Sequence, residues 1–276
     1  MKRMLLVLFI ALLGATSSSA QDIRREISRV TFDVYRFQNQ FHVNMFVITG
    51  AGVVVTDPIN EAAASWLKAE IAKITDEPIT YLIYSHSHLD HAAGGTSYGD
   101  VPNVIMHANA PEDIDLVEST QRFDDEMTFV LGSKTFELTY LGPGHGEDLI
   151  AIVVRPDVVA FVVDAVSAKR LFYRDFPGAN VDDWIAQVKK VESLDFDILL
   201  GGHGPVGVKR DVSNAVGYLE ELRAAVLAGL QAGKSVEQLK QEITMDKYRE
   251  WEAYEQWRAL NVQGMARHLE ASGALD

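Results

Sequence analysis

The chain has 276 residues and a formal net charge of −14, from 39 Asp and Glu against 25 Lys and Arg, and it contains no cysteine. That acidity excludes a nucleic-acid binder, which needs clustered Lys and Arg against phosphates. The missing thiols exclude disulfides and thiolate ligands, so His, Asp and Glu must hold any metal.

Lys2 and Arg3 precede an apolar run from Met4 to Leu13 and a small-residue segment ending Ser18-Ser19-Ala20. This is the layout of a secretory signal peptide, and the run is too short to span a membrane. Cleavage is expected after Ala20, giving a periplasmic or secreted protein with no membrane span once the leader is removed. The remaining length suits a large domain over 21–210 with an extension over 211–276.

Val30, Phe32 and Val34 alternate with polar neighbours, which predicts a strand, and Phe41 to Val47 repeats the pattern. Gly50-Ala51-Gly52 turns the chain into a third apolar run, Val53-Val54-Val55, ending at Thr56-Asp57. His42 falls on the polar side of its strand and reads as a surface or structural residue. From Asn60 the period becomes helical, with Ala63, Leu67, Ile71 and Ile74 on one face. Ile79 to Tyr84 is the next strand, and Asn103 to Met106 another, with His107 at its end as a hydrogen-bonded packing residue. A helix is expected from Pro111 to about Glu118.

Met127 to Val130 and Thr135 to Leu141 predict two antiparallel strands around Gly132-Ser133. Leu149 to Val154 and Val158 to Val163 are nearly continuous apolar runs, the pattern of a hairpin buried on both faces. Asn180 to Leu194 predicts a helix with Trp184, Val188 and Val191 on one side and Asp182 and Asp183 in its first turn. Phe196 to Leu200 is a strand. Helix follows from about Asp211, where Leu219, Leu222, Val226 and Leu230 mark an amphipathic face.

The chemistry concentrates in Ser85-His86-Ser87-His88-Leu89-Asp90-His91. Three histidines and a carboxylate just past a buried strand cannot pack as a core, and they would repel one another as imidazolium ions. A metal removes both objections, because neutral imidazole and carboxylate are preferred ligands of zinc and similar cations. His86 and His88 lie two apart and point the same way from an extended segment, whereas Asp90 and His91 begin a turn that aims at a second point. His145, Asp164 and His203 each stand at the carboxyl end of an apolar strand or in a glycine-rich loop just past it. Open α/β sheets place their sites there, so these residues should converge with the first cluster. The donors then suffice for two ions with a water between them.

The sequence resembles the metallo-β-lactamase fold superfamily, whose His-x-His-x-Asp-His signature stands here as His86, His88, Asp90 and His91, with the match running from about Val30 to Pro205. The resemblance implies an α/β protein built as a four-layer αβ/βα sandwich with a C-terminal helical extension. It implies that His86, His88 and His145 hold one metal and Asp90, His91 and His203 a second, with Asp164 bridging. Two zinc ions per chain are implied, with iron or manganese as alternatives. The implied activity is hydrolysis of an ester, thioester, lactone, β-lactam or related bond of a small molecule by a metal-bridging hydroxide that Asp90 orients.

Asp164 stands where cysteine-containing lactamases have their thiolate, which excludes that subclass. The bridging Asp is the pattern of glyoxalase-II-like thioesterases, lactonases and alkylsulfatases, and His88 argues against the flavodiiron branch, which has Glu there. Two other readings stay open: an iron-dependent persulfide dioxygenase, needing two histidines and one carboxylate, and a non-catalytic metal-binding protein. Asp148 is a candidate for fixing a histidine tautomer, or simply a polar residue at a strand start. Lys169, Arg170 and Tyr173 could reach an anionic substrate, or form a solvated loop. Tyr248, Trp251, Tyr254 and Trp257 could cover the site or pack in the core.

Overall fold

The computed structural model describes residues 23–112 and 116–275, so the expected leader and its cleavage point at Ala20 lie outside them. Two sheets carry the fold. The first runs β1 (Arg25–Arg29), β2 (Val34–Asn39), β3 (His42–Thr49), β4 (Gly52–Thr56), β5 (Ile79–Ile83), β6 (Asn103–His107) and β7 (Gln121–Phe123), paired in that order. It is antiparallel up to β4 and parallel from β4 to β7. The second contains β8 (Glu126–Leu131), β9 (Lys134–Tyr140), β10 (Ile150–Arg155), β11 (Val159–Val162), β12 (Ile198–Gly201) and β13 (Gly207–Val208), in the order β13-β12-β11-β10-β9-β8.

Side chains on a strand alternate between faces, and that alternation builds the layers. Met45 and Val47 of β3 and Val54 of β4 point inward to meet Phe136, Leu138 and Ile152 of the second sheet. Their neighbours Phe46, Val53 and Val55 point outward and bury Ala63 and Leu67 of α1 (Glu61–Ile74). α1 is capped by Asn60, whose side chain accepts from the Ala63 N–H. Ile74, expected on the buried face of this helix, is 45% exposed because the helix ends there and leaves the sheet. The β10–β11 hairpin is apolar on both faces because helices cover its outer side, as the continuous runs predicted.

A short helix, α2 (Leu89–Ala92), follows β5, and α3 (Val181–Ser193) and α4 (Lys209–Gln231) cover the second sheet. α3 buries Trp184, Val188 and Val191, and Asn180 caps it by accepting from the Asp182 and Asp183 N–H groups. α4, α5 (Val236–Glu242) and α6 (Tyr254–Ala271) complete the outer layer, and Leu219, Val226, Val262 and Leu269 join the same apolar core as the sheet. The layers are therefore helix, sheet, sheet, helix. Among the described residues no helix is long and apolar enough to cross a membrane.

Two expected elements differ. The alternation over Val30–Val34 is a tight connection between β1 and β2, with the N–H groups of Val30 and Thr31 both donating to Val34 O, and it leaves Phe32 86% exposed. Lys134 fixes this connection by bridging Asp33 and Asp157, and Thr31 Oγ1 also donates to Asp157. The helix expected over 111–118 is not formed by Pro111, Glu112 or Leu116–Glu118, and residues 113–115 lie outside the description. Residues 116–119 lead as an irregular connection into β7, an edge strand with no apolar alternation to announce it.

Candidate metal centre

Five separate segments deliver polar side chains to one edge of the sandwich. β5 continues as extended backbone through Tyr84, whose N–H donates to Ile105 O, and sets down His86 and His88 before α2 turns Asp90 and His91 inward. The β9–β10 loop brings His145, clamped by buried Gln187 of α3: its Oε1 accepts from the His145 N–H and its Nε2 donates to Gly142 O. Asp164 follows β11 with φ of 55°, a left-handed conformation that costs a non-glycine residue about 1–3 kcal/mol. The Trp184 indole holds that strained segment by donating to Ala165 O at 2.9 Å. His203 follows β12, where a side chain at Gly202 would sit 2.5 Å from Val163 Cγ1 and 3.0 Å from His91 Cε1. The close approach of this loop to the centre requires glycine.

The donors fall into two groups. His86, His88, His145 and Asp164 form one and His42, Asp90, His91 and His203 the other, each with its ligand atoms within 4.8 Å of one another. Asp164 faces both. Its Oδ2 lies 3.2 Å from His145 Nε2 and 3.5 Å from His91 Nε2, and its Oδ1 lies 3.1 Å from His203 Nε2. Within the first group His145 Nε2 and His88 Nδ1 are 3.0 Å apart.

Buried hydrogen bonds set the histidine tautomers. The Ser85 N–H and hydroxyl donate to the two oxygens of Asp57, each at 2.7 Å, and the hydroxyl oxygen accepts from His86 Nδ1 at 2.9 Å. The free lone pair of His86 therefore sits on Nε2, which is buried, has no hydrogen-bond partner among the described residues, and lies 3.7 Å from Asp164 Oδ2. A buried imidazole lone pair aimed at a carboxylate is an unfavourable arrangement that a cation between them resolves. His203 Nδ1 likewise donates to Phe41 O at 2.8 Å and turns Nε2 inward.

The electrostatics agree. Burial holds His86 well below the ordinary imidazole range, in the neutral form that binds metals. Burial also opposes charge on His91, but the carboxylates of Asp164, Asp57 and Asp90 outweigh it and raise this group to about 9. Burial opposes charge on Asp164 too, and His91 with the hydrogen-bonding histidines overcomes it to hold the carboxyl far below its usual range. Asp90 is lowered chiefly by the His42 ring beside it. Without a metal the centre thus recruits a proton on His91 as its cation. The donor set fits hard or borderline dications such as zinc, iron or manganese.

All seven residues expected as ligands meet in this centre, and sequence reasoning missed three that meet them. His42, read as a surface or structural residue, faces Asp90 across 3.4 Å. Asp57 and Ser85 form the brace behind His86, and burial pushes Asp57 up to about 6. The placement of Asp57 between a strand end and the Ser85 preceding the cluster was the available signal. Asp148 is buried near His88 but grips no imidazole nitrogen; its Oδ2 has no hydrogen-bond partner among the described residues, and burial raises its carboxyl above the usual range. His107 packs as expected, stacked on Tyr140 at 3.8 Å.

Above the donors lies a cavity of about 490 Å3 walled by Phe41, Val166, Leu171, Phe172, Tyr173 and Trp257. Arg170 lines it as well, but its guanidinium is already engaged, paired with Glu252 and 4.8 Å from the centre of the Trp257 ring. Lys169 does not line it; the Lys169 carbonyl accepts from the Glu252 N–H instead. Of the C-terminal aromatics, Tyr248 and Tyr254 are buried and Trp251 packs against them in the core, whereas Trp257 borders the cavity.

Residues 39–203 match the family model described as the metallo-beta-lactamase superfamily. The chain belongs to that superfamily. It is similar to the metallo-beta-lactamase type 2 of Elizabethkingia meningoseptica, 26% identical over 211 residues that span 70% of this chain and 84% of the relative. It is also similar to the 2,4-dinitroanisole O-demethylase subunit alpha of Nocardioides sp. (strain JS1661), 22% identical over 80% of this chain and 68% of that subunit. Among solved structures, a metallo-beta-lactamase from Pontibacter korlensis shares the fold with a TM-score of 0.64 at 17% identity, covering 71% of this chain and 99% of that one. The sec-alkyl sulfatase PisA1 shares it with a TM-score of 0.73 at 14% identity, covering 88% of this chain and 50% of the sulfatase. The superfamily is mostly hydrolytic, and the two His/Asp groups described above occupy the matched region together with its edge.

Proposed function

We propose that this metallo-beta-lactamase superfamily member is an exported binuclear zinc-dependent hydrolase acting on a small molecule. The observation that carries the reading is Asp164, which stands within 3.1–3.5 Å of nitrogens from both donor groups at the floor of a single cavity. His86, His88 and His145 would hold the first ion, Asp90, His91 and His203 the second, and Asp164 would be shared. Two dications so held supply an acidified water and an electrophile for a carbonyl or equivalent oxygen.

The chain's own residues do the rest. Asp57 and Ser85 keep the proton of His86 on Nδ1, and Phe41 does the same for His203, so both present lone pairs to the centre. Asp90, about half exposed at the cavity floor, is placed to accept a hydrogen bond from the attacking water and orient it. Phe41, Leu171, Phe172 and Trp257 exclude water around the substrate body. Because Glu252 already neutralises Arg170, the cavity suits a substrate with an apolar body and little net charge. The mononuclear persulfide dioxygenase reading is weaker, since it leaves Asp90, His91 and His203 without a role.

The test is a panel of an ester, a thioester, a lactone, a β-lactam, an alkyl sulfate and an activated aryl methyl ether, the last suggested by the demethylase relative. Wild type should turn over at least one substrate with about two zinc ions bound, and His86→Ala should lose more than about 100-fold in kcat/KM. Undiminished activity in the variant, or one iron per chain with oxygen consumption, refutes the reading.

A further inference from the structure

His42 lies outside the ligand set that the superfamily signature supplies, yet the fold fixes it against the second donor group from both sides. The N–H of Val43, the next residue, donates to Gly202 O at 2.8 Å, and the carbonyl of Phe41, the preceding residue, accepts from His203 Nδ1, also at 2.8 Å. The start of β3 is thus tied to the loop that carries His203, and the imidazole between these two bonds faces the centre. Its ring centroid lies 5.1 Å from that of His91 and 5.0 Å from that of His203.

The distances distinguish a ligand from a hydrogen-bond partner. His42 Nε2 stands 3.4 Å from Asp90 Oδ2, beyond the roughly 2.7–3.2 Å typical of an N–H···O bond. Donors held about 2.0–2.2 Å from one ion stand about 2.8–3.8 Å apart at neighbouring corners of a five-coordinate shell. The neighbouring separations in this group are of that size: 3.3 Å between His91 Nε2 and His203 Nε2, and 3.7 Å between His91 Nε2 and Asp90 Oδ2. We propose that His42 is a protein ligand of the second metal, giving that ion His42, Asp90, His91 and His203 as its own donors, with Asp164 shared. The second ion would then have five protein donors, counting the shared Asp164, and the first four. This inference rests on the binuclear reading.

The test is metal binding rather than turnover. Metal-free protein is titrated with Co2+, followed by visible absorption and by the ions retained after gel filtration, for wild type, His42→Gln and His88→Gln. Glutamine at 42 keeps a polar N–H group beside Asp90 but is a poor ligand. Wild type should retain two ions, and His42→Gln should lose one, its affinity for that ion falling by more than about 100-fold, beyond the 10–100-fold typical of an outer hydrogen-bond partner. His88→Gln should lose the other. In Co2+-loaded wild type, 1H NMR should show paramagnetically shifted imidazole N–H signals from all six histidines of the two groups, a count that needs no variant to fold. Two ions retained equally by wild type and His42→Gln, or N–H signals from only five histidines, overturn the role of His42 alone. Failure of wild type to retain a second ion overturns the binuclear reading and this inference together.

Discussion

The two donor groups have the same mix of buried and exposed members but are braced differently. The first sits at the end of the parallel strands, with His86 fully buried and braced through Ser85 to Asp57 inside the first sheet's edge. The second is assembled from a short helix, a strand start and a glycine-rich loop, and the buried Nδ1 of its His91 has no hydrogen-bond partner among the described residues. A donor locked by buried hydrogen bonds loses little freedom on binding, whereas an unbraced one must be immobilised. The first position should therefore fill before the second.

The most severe way to break this contrast is Asp164→Asn, which removes the carboxylate common to both groups. Retention of both ions should fall by more than about 100-fold, measured as metal per chain after gel filtration; loss from one position alone would show that Asp164 belongs to a single group. Ser85→Ala sharpens it from the other side. Severing the link from Asp57 to His86 should weaken the first ion by about 10–100-fold and leave the second unchanged, read as two separated steps in a Co2+ titration.

A smaller, graded effect comes from pH. In the metal-free protein His91 is raised from 6.5 to about 9, so it carries a proton throughout the neutral range. Metal at the second position displaces that proton, so affinity there should rise about tenfold per pH unit and level off above about 9. Calorimetry in buffers of different ionisation enthalpy should find close to one proton released by this position at pH 7.5. By the same linkage, His91 stabilises the metal-free fold fully below about 6.5, and that contribution is lost as pH rises through about 9. A second-site affinity independent of pH would show that His91 is already neutral.

The extent to which the chain could be read beforehand follows the range of the interactions. The His86–His91 cluster was legible because its donors are adjacent, and His145, Asp164 and His203 because apolar strands end at each. His42 was not, since one imidazole on a strand gives no local sign that Gly202 and His203 will fold against its backbone. The Asp57–Ser85 brace joins residues that pair only once β4 and β5 lie side by side. The four layers could be inferred from the switch between periods of two and 3.6, but period two alone could not separate a strand from the turn at Val30–Val34. The hydrogen bonds to Val34 O and the Lys134 ion pairs decide that segment.

The meeting of Arg170 with Glu252 has a wider meaning. The segment after Asp164 is joined to the C-terminal helices by the Leu171 N–H donating to Glu252 O and the Glu252 N–H donating to Lys169 O, and α6 adds Trp257 to the same wall. Reactivity is thus encoded by strand ends in the body of the chain, and the shape of what may enter is encoded by the segment after Asp164 together with Trp257 of the last helix. The two can diversify independently: new wall residues can be tried on an unaltered centre, which is how one catalytic apparatus comes to serve many substrates.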